Sequence, residues 1–290
     1  MVLLDMVATN AGGFRDRHFA GAGWTGDFVV AHYDHGIRGE ESHADADFVR
    51  AKCRQYGVRL ITAQGNLPPD TGEDKARRAR YSFLGQVAKN ESTGGAESVY
   101  IVTAHHQDDL LETIVMNLIR GTGWRGLAPM SRTDVVRPLI DMTKADVVRY
   151  ALEHDLDWRE DKTNDSPEYW RNRLRAQVIG RLLTERNKML ALCHGQRRLR
   201  VEIDYEVTRY IEQRVDCVDN RPVMYRYDLI MLPADVAIEI LRRLTKGWLT
   251  RPQLGQLLLF VKVGKPSKQL SWKRLNVRLD VRRVYFYLEM

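Results

Sequence analysis

An α/β architecture, a parallel sheet with crossover helices followed by a helical C-terminal extension, is the expectation for this 290-residue sequence. Three observations lead to it. Short apolar runs in the first half alternate with amphipathic stretches of helical length, the trace that parallel strands and their crossovers leave. Beyond Trp158 the strand-like runs give way to helical periodicity, over about 168 to 213 and again over 234 to 263. Hydrophobic residues make up 44% and charged residues 29% of the chain, which supplies both a core and a solvated surface for one large or two modest domains.

Taken in order, Met1 to Met6 reads as a helix and the Gly-rich stretch from Ala11 to Gly26 as a long loop. The first strand is Phe28 to Tyr33. Ala44, Phe48, Val49 and Tyr56 then fall on one helical face, and Val58 to Thr62 forms the next strand. A third strand, Val99 to Ala104, leads into a helix whose stripe runs through Leu110, Leu111, Ile114, Val115, Leu118 and Ile119 to stop at Gly121. Val135 and Val136 form a short fourth strand closed by Arg137-Pro138. Thr143 and Asp146 have the spacing of a capping box opening a helix to about His154. The change of texture places a boundary within 155 to 167, dividing a domain over 1–160 from a mostly helical, basic region over 161–290. Val277 to Tyr285 alternates like one half-exposed strand.

Charge is unevenly placed. The net +7 comprises a block at 171–200 with nine Lys/Arg and one acid, and a block at 241–290 with twelve and two, while the rest is acidic. Two such blocks suit a polyanion, whose phosphates exchange their counterions for Lys and Arg. A solvated Arg-rich face is the simpler alternative. Three cysteines, far apart and without a CxxC pair, argue against a disulfide framework and a thiolate zinc cage, and suit a reducing cytoplasm. The apolar run Leu257 to Val261 is far shorter than the roughly 20 residues of a membrane-spanning helix. No secretory signal opens the sequence.

Ligands of open α/β sheets sit beyond the carboxyl ends of the strands, and here those positions are polar. The first strand runs into His32-Tyr33-Asp34-His35, and the third into Ala104-His105-His106-Gln107-Asp108-Asp109. The latter lies at a helix N-terminus, where backbone N–H groups and the helix dipole favour phosphate, and where carboxylates suit Mg²⁺. An N-cap with a first-turn acid accounts for Asp108 and Asp109 equally. A metallohydrolase centre on His105, His106, Asp108 and Asp109 is a further alternative. Arg77, Arg80 and Tyr81 recur on successive turns of one helix, which an exposed Glu/Arg face also explains. Arg171 and Arg175 are spaced i, i+4 and project together.

In order and content these segments resemble the tRNA(Ile)-lysidine synthetase family of N-type ATP pyrophosphatases, which use a PP-loop. The resemblance rests on VAHYDHGIRGEES at 30–42, EDKARRARYSFL at 73–84, TAHHQDDLLETIVMNLIRGTGWRGLAPM at 103–130, RPLI at 137–140, WREDKTND at 158–165 and YWRNRLR at 169–175. It implies a PP-loop ATPase fold of the adenine nucleotide alpha hydrolase-like kind. It also implies a reaction: ATP adenylylates the wobble cytidine of a tRNA(Ile) with a CAU anticodon, and the amine of L-lysine displaces AMP to give lysidine. ATP and Mg²⁺ are the implied cofactors, tRNA(Ile) and L-lysine the partners, and the cytoplasm the location. Whether the chain pairs as a homodimer is left open.

On this resemblance Asp108 and Asp109 contact metal or lysine, Arg80, Arg171 and Arg175 contact phosphate or tRNA, and His32, Asp34, His35, Ala104 and His105 lie by the nucleotide. A related tRNA thiolase is disfavoured by the absence of paired cysteines. The family's SGGxDS pyrophosphate loop is missing, and Ala11-Gly12-Gly13 replaces it poorly because no apolar strand precedes it. The resemblance then leads one to expect a true start upstream of Met1 or a truncated gene, and to weigh a catalytically inactive tRNA-binding relic beside the enzyme.

Overall fold

The computed structural model describes residues 1–19, 27–36, 40–65, 67–68, 71–92, 99–132, 134–159 and 184–288. It divides into two compact units, Met1–His194 and Gly195–Met290, a division later in the chain than the boundary expected from sequence texture.

The first unit opens with α1 (Val2–Thr9) and α2 (Phe14–Phe19). Asn10, at φ 54°, ends α1 in the left-handed conformation that Asn tolerates. What reads in sequence as a loop is a 3₁₀ turn at Ala11–Gly13 and then α2. Arg15 makes the difference, because its guanidinium donates to the carbonyls of Val7 and Ala8 at 2.5 and 2.7 Å and binds α2 to the open end of α1. The stretch 20–26 lies outside the described residues.

Next come β1 (Val30–Asp34), α3 (Glu40–Gln55), β2 (Leu60–Gln64) and α4 (Glu73–Ser92). They are followed by β3 (Ile101–Val102), α5 (Gln107–Ile119), β4 (Val135–Val136) and α6 (Lys144–Glu153). β1 pairs β2 in parallel, Val30 opposite Leu60, and β3 pairs β4 in parallel, Ile101 opposite Val135. Among the described residues these two pairs share no hydrogen-bonded strand, so each is a two-stranded sheet of its own. Strands of parallel sheets are normally buried on both faces, whereas β1 is mostly half-buried and Val102 is 37% exposed.

Local rules account for the helix ends. Thr143 and Asp146 form the expected capping box, Thr143 Oγ1 accepting from the Asp146 N–H at 3.1 Å. The α5 stripe is shorter than its sequence suggests, since Leu110, Leu111, Ile114 and Val115 are buried but Leu118 and Ile119 are about half exposed. One core cluster gathers Val2, Met6, Phe14, Phe19, Leu139 and Ala151, and a second joins Leu110 and Ile114 to Cys193.

α7 (Arg186–Arg214) runs from the first unit into the second. The second unit adds β5 (Val215–Val218), β6 (Arg221–Tyr225), α8 (Arg226–Met231), α9 (Ala234–Leu244), α10 (Arg251–Val263), β7 (Gln269–Trp272), β8 (Leu275–Leu279) and β9 (Arg283–Leu288). Helices hold most of its described residues, but its centre is an antiparallel sheet in the order β5-β6-β9-β8-β7, which sequence texture does not anticipate. The single strand expected over 277–285 is a hairpin, broken at Asp280–Arg282. Asp219 and Asn220, at φ 50° and 60°, form the two-residue turn between β5 and β6, the left-handed pair that hairpin twist favours. Met224, Leu275, Val277, Val284 and Phe286 on one sheet face pack with Ile240, Leu241, Leu254 and Leu257 of α9 and α10. Arg226 seals the end of α10 by donating to the carbonyls of Val261, Lys262 and Gly264.

Candidate functional site

The site lies where β3 ends and α5 begins. The Thr103 N–H donates to the Val136 carbonyl at 3.0 Å, which fixes the strand end. The Gln107 N–H donates to the Met142 carbonyl at 2.8 Å, which fixes the helix head. Between them, Ala104 is exposed and His105 half-buried.

The two carboxylates have different surroundings. Asp109 is the third helical residue of α5, and its Oδ2 accepts the His106 N–H at 3.0 Å, so the helix-capping reading holds for it. Asp108 Oδ1 accepts from the Arg186 guanidinium and its Oδ2 accepts the Lys144 N–H at 2.7 Å. Arg186 also donates to Gln107 Oε1 at 3.0 Å. Asp108 therefore holds the first residues of α5, α6 and α7 together, with a charge-assisted pair at its centre. Among the described residues His106 Nδ1 is buried without a hydrogen-bond partner, 3.8 Å from Asp108 Oδ2.

His105 Nδ1 lies 2.9 Å from Thr103 Oγ1. Burial is the main reason its imidazole is pushed down to about 4; Asp109 opposes the shift, while Arg77, Arg137 and Arg80 reinforce it. His105 is thus neutral near pH 7, and it marks where three guanidiniums direct their field. In an unfolded chain a histidine protonates near 6.5, so the unfolded state binds the extra proton between that pH and about 4. Stability from this group is complete above about 6.5 and lost as pH falls toward 4. Urea midpoints should fall over that interval, and an Arg77→Gln variant should protonate His105 at higher pH, as ¹H–¹⁵N correlation spectra of the ring would read directly.

At the end of β1, Asp34 is buried and its Oδ1 accepts the Gly36 N–H at 2.8 Å. His43 Nδ1 lies 3.8 Å from its Oδ2. Gly36 takes a positive φ of 69°, and a Cβ there would stand 2.5 Å from the Gly65 carbonyl oxygen, so this turn admits glycine alone. His32 is half-buried within β1, and burial lowers its pKa against the pull of Asp34 and Asp45. The ring of His35 meets Tyr33 edge-on at 5.0 Å. α4 relates the two strand ends, because its Phe83 lies 5.6 Å from Tyr33 while its Arg77 and Arg80 act on His105.

Arg80 is half-buried beside the Tyr81 ring, and its charge is one of those that act on His105. Arg77, Arg137 and Arg186 also belong to the site, although sequence patterning treats the first as surface and assigns no role to the other two. Arg186 lies within the basic block at 171–200, which is the signal that points toward it. Arg171 and Arg175 lie outside the described residues. Among the described residues no group of three or more His, Cys, Asp or Glu is arranged to hold a metal ion. Cys53 and Cys193 are buried and Cys217 exposed, and among the described residues no disulfide joins them.

A cleft of about 510 Å³ opens between the start of α4 and the second half of α5, lined by Lys75, Arg77, Arg78, Thr113, Asn117 and Arg120 among others. Arg77 belongs to both the cleft and the surroundings of His105. Its charge and breadth suit phosphate esters rather than an apolar ligand.

A parallel α/β domain with polar strand ends and a cationic cleft is the setting in which the comparisons fall. The PP-loop domain family matches residues 5–182, and the chain belongs to that family. Among curated proteins it is 32% identical over 273 residues to the tRNA(Ile)-lysidine synthase of Solibacter usitatus, covering 90% of this chain and 60% of that protein. It is also 32% identical over 241 residues to the tRNA(Ile)-lysidine synthase of Thermotoga maritima, covering 79% and 55%. The chain thus spans somewhat more than half the length of these relatives. A solved structure of the U34-tRNA thiolase NcsA from Methanococcus maripaludis, with its [4Fe-4S] cluster, aligns at a TM-score of 0.48 and 16% identity, covering 60% of this chain and 62% of that one. No helix among the described residues is long and apolar enough to cross a membrane.

Proposed function

We propose that this chain carries the nucleotide and RNA sites of a tRNA(Ile)-lysidine synthase. It would use ATP to activate the wobble cytidine of a tRNA with a CAU anticodon and L-lysine to displace AMP, in the cytoplasm. The observation that carries the reading is Arg77, shared between the cationic cleft and the polar cluster at the head of α5. An RNA strand lying in the cleft delivers its target nucleotide toward His105 and Asp109. Arg77, Arg80 and Arg137 offset phosphate charge there without reorganising. Asp109 would accept a proton from the attacking amine, and His105, uncharged, would not repel that amine.

The donor set also fits a phosphate-bound Mg²⁺, which takes one or two carboxylates and several waters. Asp109 would hold it, whereas Asp108 joins only by releasing Arg186. His106 Nδ1, without a hydrogen-bond partner among the described residues, is a further polar atom a bound group would satisfy.

The inactive relic keeps one observation in its favour. Ala11–Gly13 links two helices and follows no strand, so it is no pyrophosphate loop. Incorporation of radiolabelled lysine into a CAU-anticodon transcript decides. Labelling that needs both ATP and RNA supports the synthase, and tight RNA binding without labelling supports the relic. Neither binding nor labelling overturns both.

A further inference from the structure

The sheet of the second unit has two faces of opposite character. One packs on the helices through Met224, Val277, Val284 and Phe286, all at most 1% exposed. On the other, Tyr285 and Tyr287 of β9 stand beside Tyr225 and Arg221 of β6 and Arg278 of β8, and Arg283 lies opposite Tyr225. None of these six residues belongs to the core cluster; Tyr225 is 46% exposed, Arg221 and Arg278 are exposed, and Tyr285, Tyr287 and Arg283 are half-buried. The guanidinium of Arg221 lies over the Tyr287 ring at 4.8 Å and that of Arg283 over the Tyr225 ring at 5.3 Å. Rings and cations alternate here in two dimensions, with the buried Val223 between them and Asp216 of β5 as the single acid at an outward position in the described strands. Residues 268–288 carry six Lys/Arg and one Asp.

We propose that this face binds an unpaired stretch of RNA, its bases stacking on Tyr285, Tyr287 and Tyr225 and its phosphates meeting Arg221, Arg278 and Arg283. Three physical points select that occupant. Residues i and i+2 of a strand stand about 6.7 Å apart on one face, so β9 presents its two tyrosines as successive platforms. Aromatic rings on an open sheet hold bases whatever their identity, because every base has a π-face. The accompanying charge is cationic, which an acidic or phosphorylated partner needs, but a folded acidic protein has no use for spaced flat rings. A duplex buries its base faces and could meet only the arginines. The proposal does not rest on lysidine chemistry; it requires only that the substrate expose unpaired nucleotides.

The test is fluorescence anisotropy of the full chain with a labelled ten-nucleotide oligo-uridine, its duplex counterpart and labelled poly-glutamate. Tight binding of the single strand is expected, weakening steeply with salt. Joint Tyr285→Ala and Tyr287→Ala substitution should weaken it roughly ten-fold or more, and the corresponding Phe changes should preserve it. Arg278→Gln should flatten the salt dependence. If the double Ala variant fails to fold, Tyr225→Ala and ultraviolet crosslinking mapped by peptide mass keep the question answerable, with crosslinks expected on β6 and β9. Unchanged single-strand affinity in the Ala variants, preference for the duplex, equal binding of poly-glutamate, or crosslinks confined to the first unit would each overturn the proposal. Lysine labelling reports on the proposed synthase reaction independently.

Discussion

Replacing Asp109 with asparagine should lower lysine incorporation by about 100-fold or more while leaving the helix head intact. The amide oxygen of asparagine still accepts the His106 N–H, so the capping contact at 3.0 Å survives. What disappears is the negative charge, and with it the proton acceptor and the metal-binding oxygen. The same charge raises the His105 pKa against burial and the surrounding arginines. Its removal must drive that histidine still lower, and ring spectra would report this even in a chain that does not turn over. Asp109→Ala separates capping from chemistry, since it also loses the cap, at about 0.5–2 kcal/mol of stability. Equal activity in Asp109→Asn and the parent chain would remove Asp109 from the proposed chemistry. Activity surviving in Asp109→Asn but lost in Asp109→Ala would make its role structural. RNA affinity should be the same in all three, because Asp109 does not line the cationic cleft.

The parts of this molecule that sequence makes legible are those governed by neighbours in sequence. The Thr143/Asp146 box and the Gly121 stop depend on residues within one or two turns, and both are realised as expected. β1 begins two residues later than its apolar run, because Phe28 joins the core against α1 and α2 instead of the sheet. α2 was hidden by Gly12 and Gly13, whose flexibility suggests a loop, while Arg15 reaches back eight residues to bind it. The antiparallel sheet of the second unit escaped for a related reason. β6 carries Pro222, so propensity alone argues against a strand there, yet burial of Val223 and Met224 decides the outcome. At the site, the position of His105, Asp108 and Asp109 follows from the rule about strand ends. Their division of labour does not, since Arg186 meets Asp108 across 78 positions, and burial, reinforced by three arginines from two segments, sets the state of His105.

Removing the carboxylate of Asp5 should cost roughly 2–6 kcal/mol, because it strands two phenol donors at about 1–3 kcal/mol each. Asp5 is 6% exposed, and its two oxygens accept the hydroxyls of Tyr56 and Tyr150 at 2.7 Å each. These bonds join α1 to α3 and α6 across 51 and 145 positions. An Asp5→Leu exchange fills the space but leaves two phenol donors without their acceptor. Hydrogen bonds to charged groups contribute about 1.5–3 kcal/mol each, and stranded donors add their desolvation. Tyr56→Phe should therefore cost less than Asp5→Leu, because it takes away a donor instead of stranding two. Combining Asp5→Leu with Tyr56→Phe and Tyr150→Phe should recover part of the loss, since no orphaned hydroxyl remains.

An alkaline signature distinguishes this account from a simple packing defect. Burial and the Asp5 charge push the Tyr56 phenol up to about 12 and raise Tyr150 as well. Both phenols ionise near 10 once unfolded, so the parent chain loses stability as pH climbs from about 10 through 12. In Asp5→Leu the charge is gone and the slope of urea midpoint against pH over that range must shrink. A slope unchanged by the exchange would mean that burial alone sets the two phenols and that the carboxylate contributes packing only.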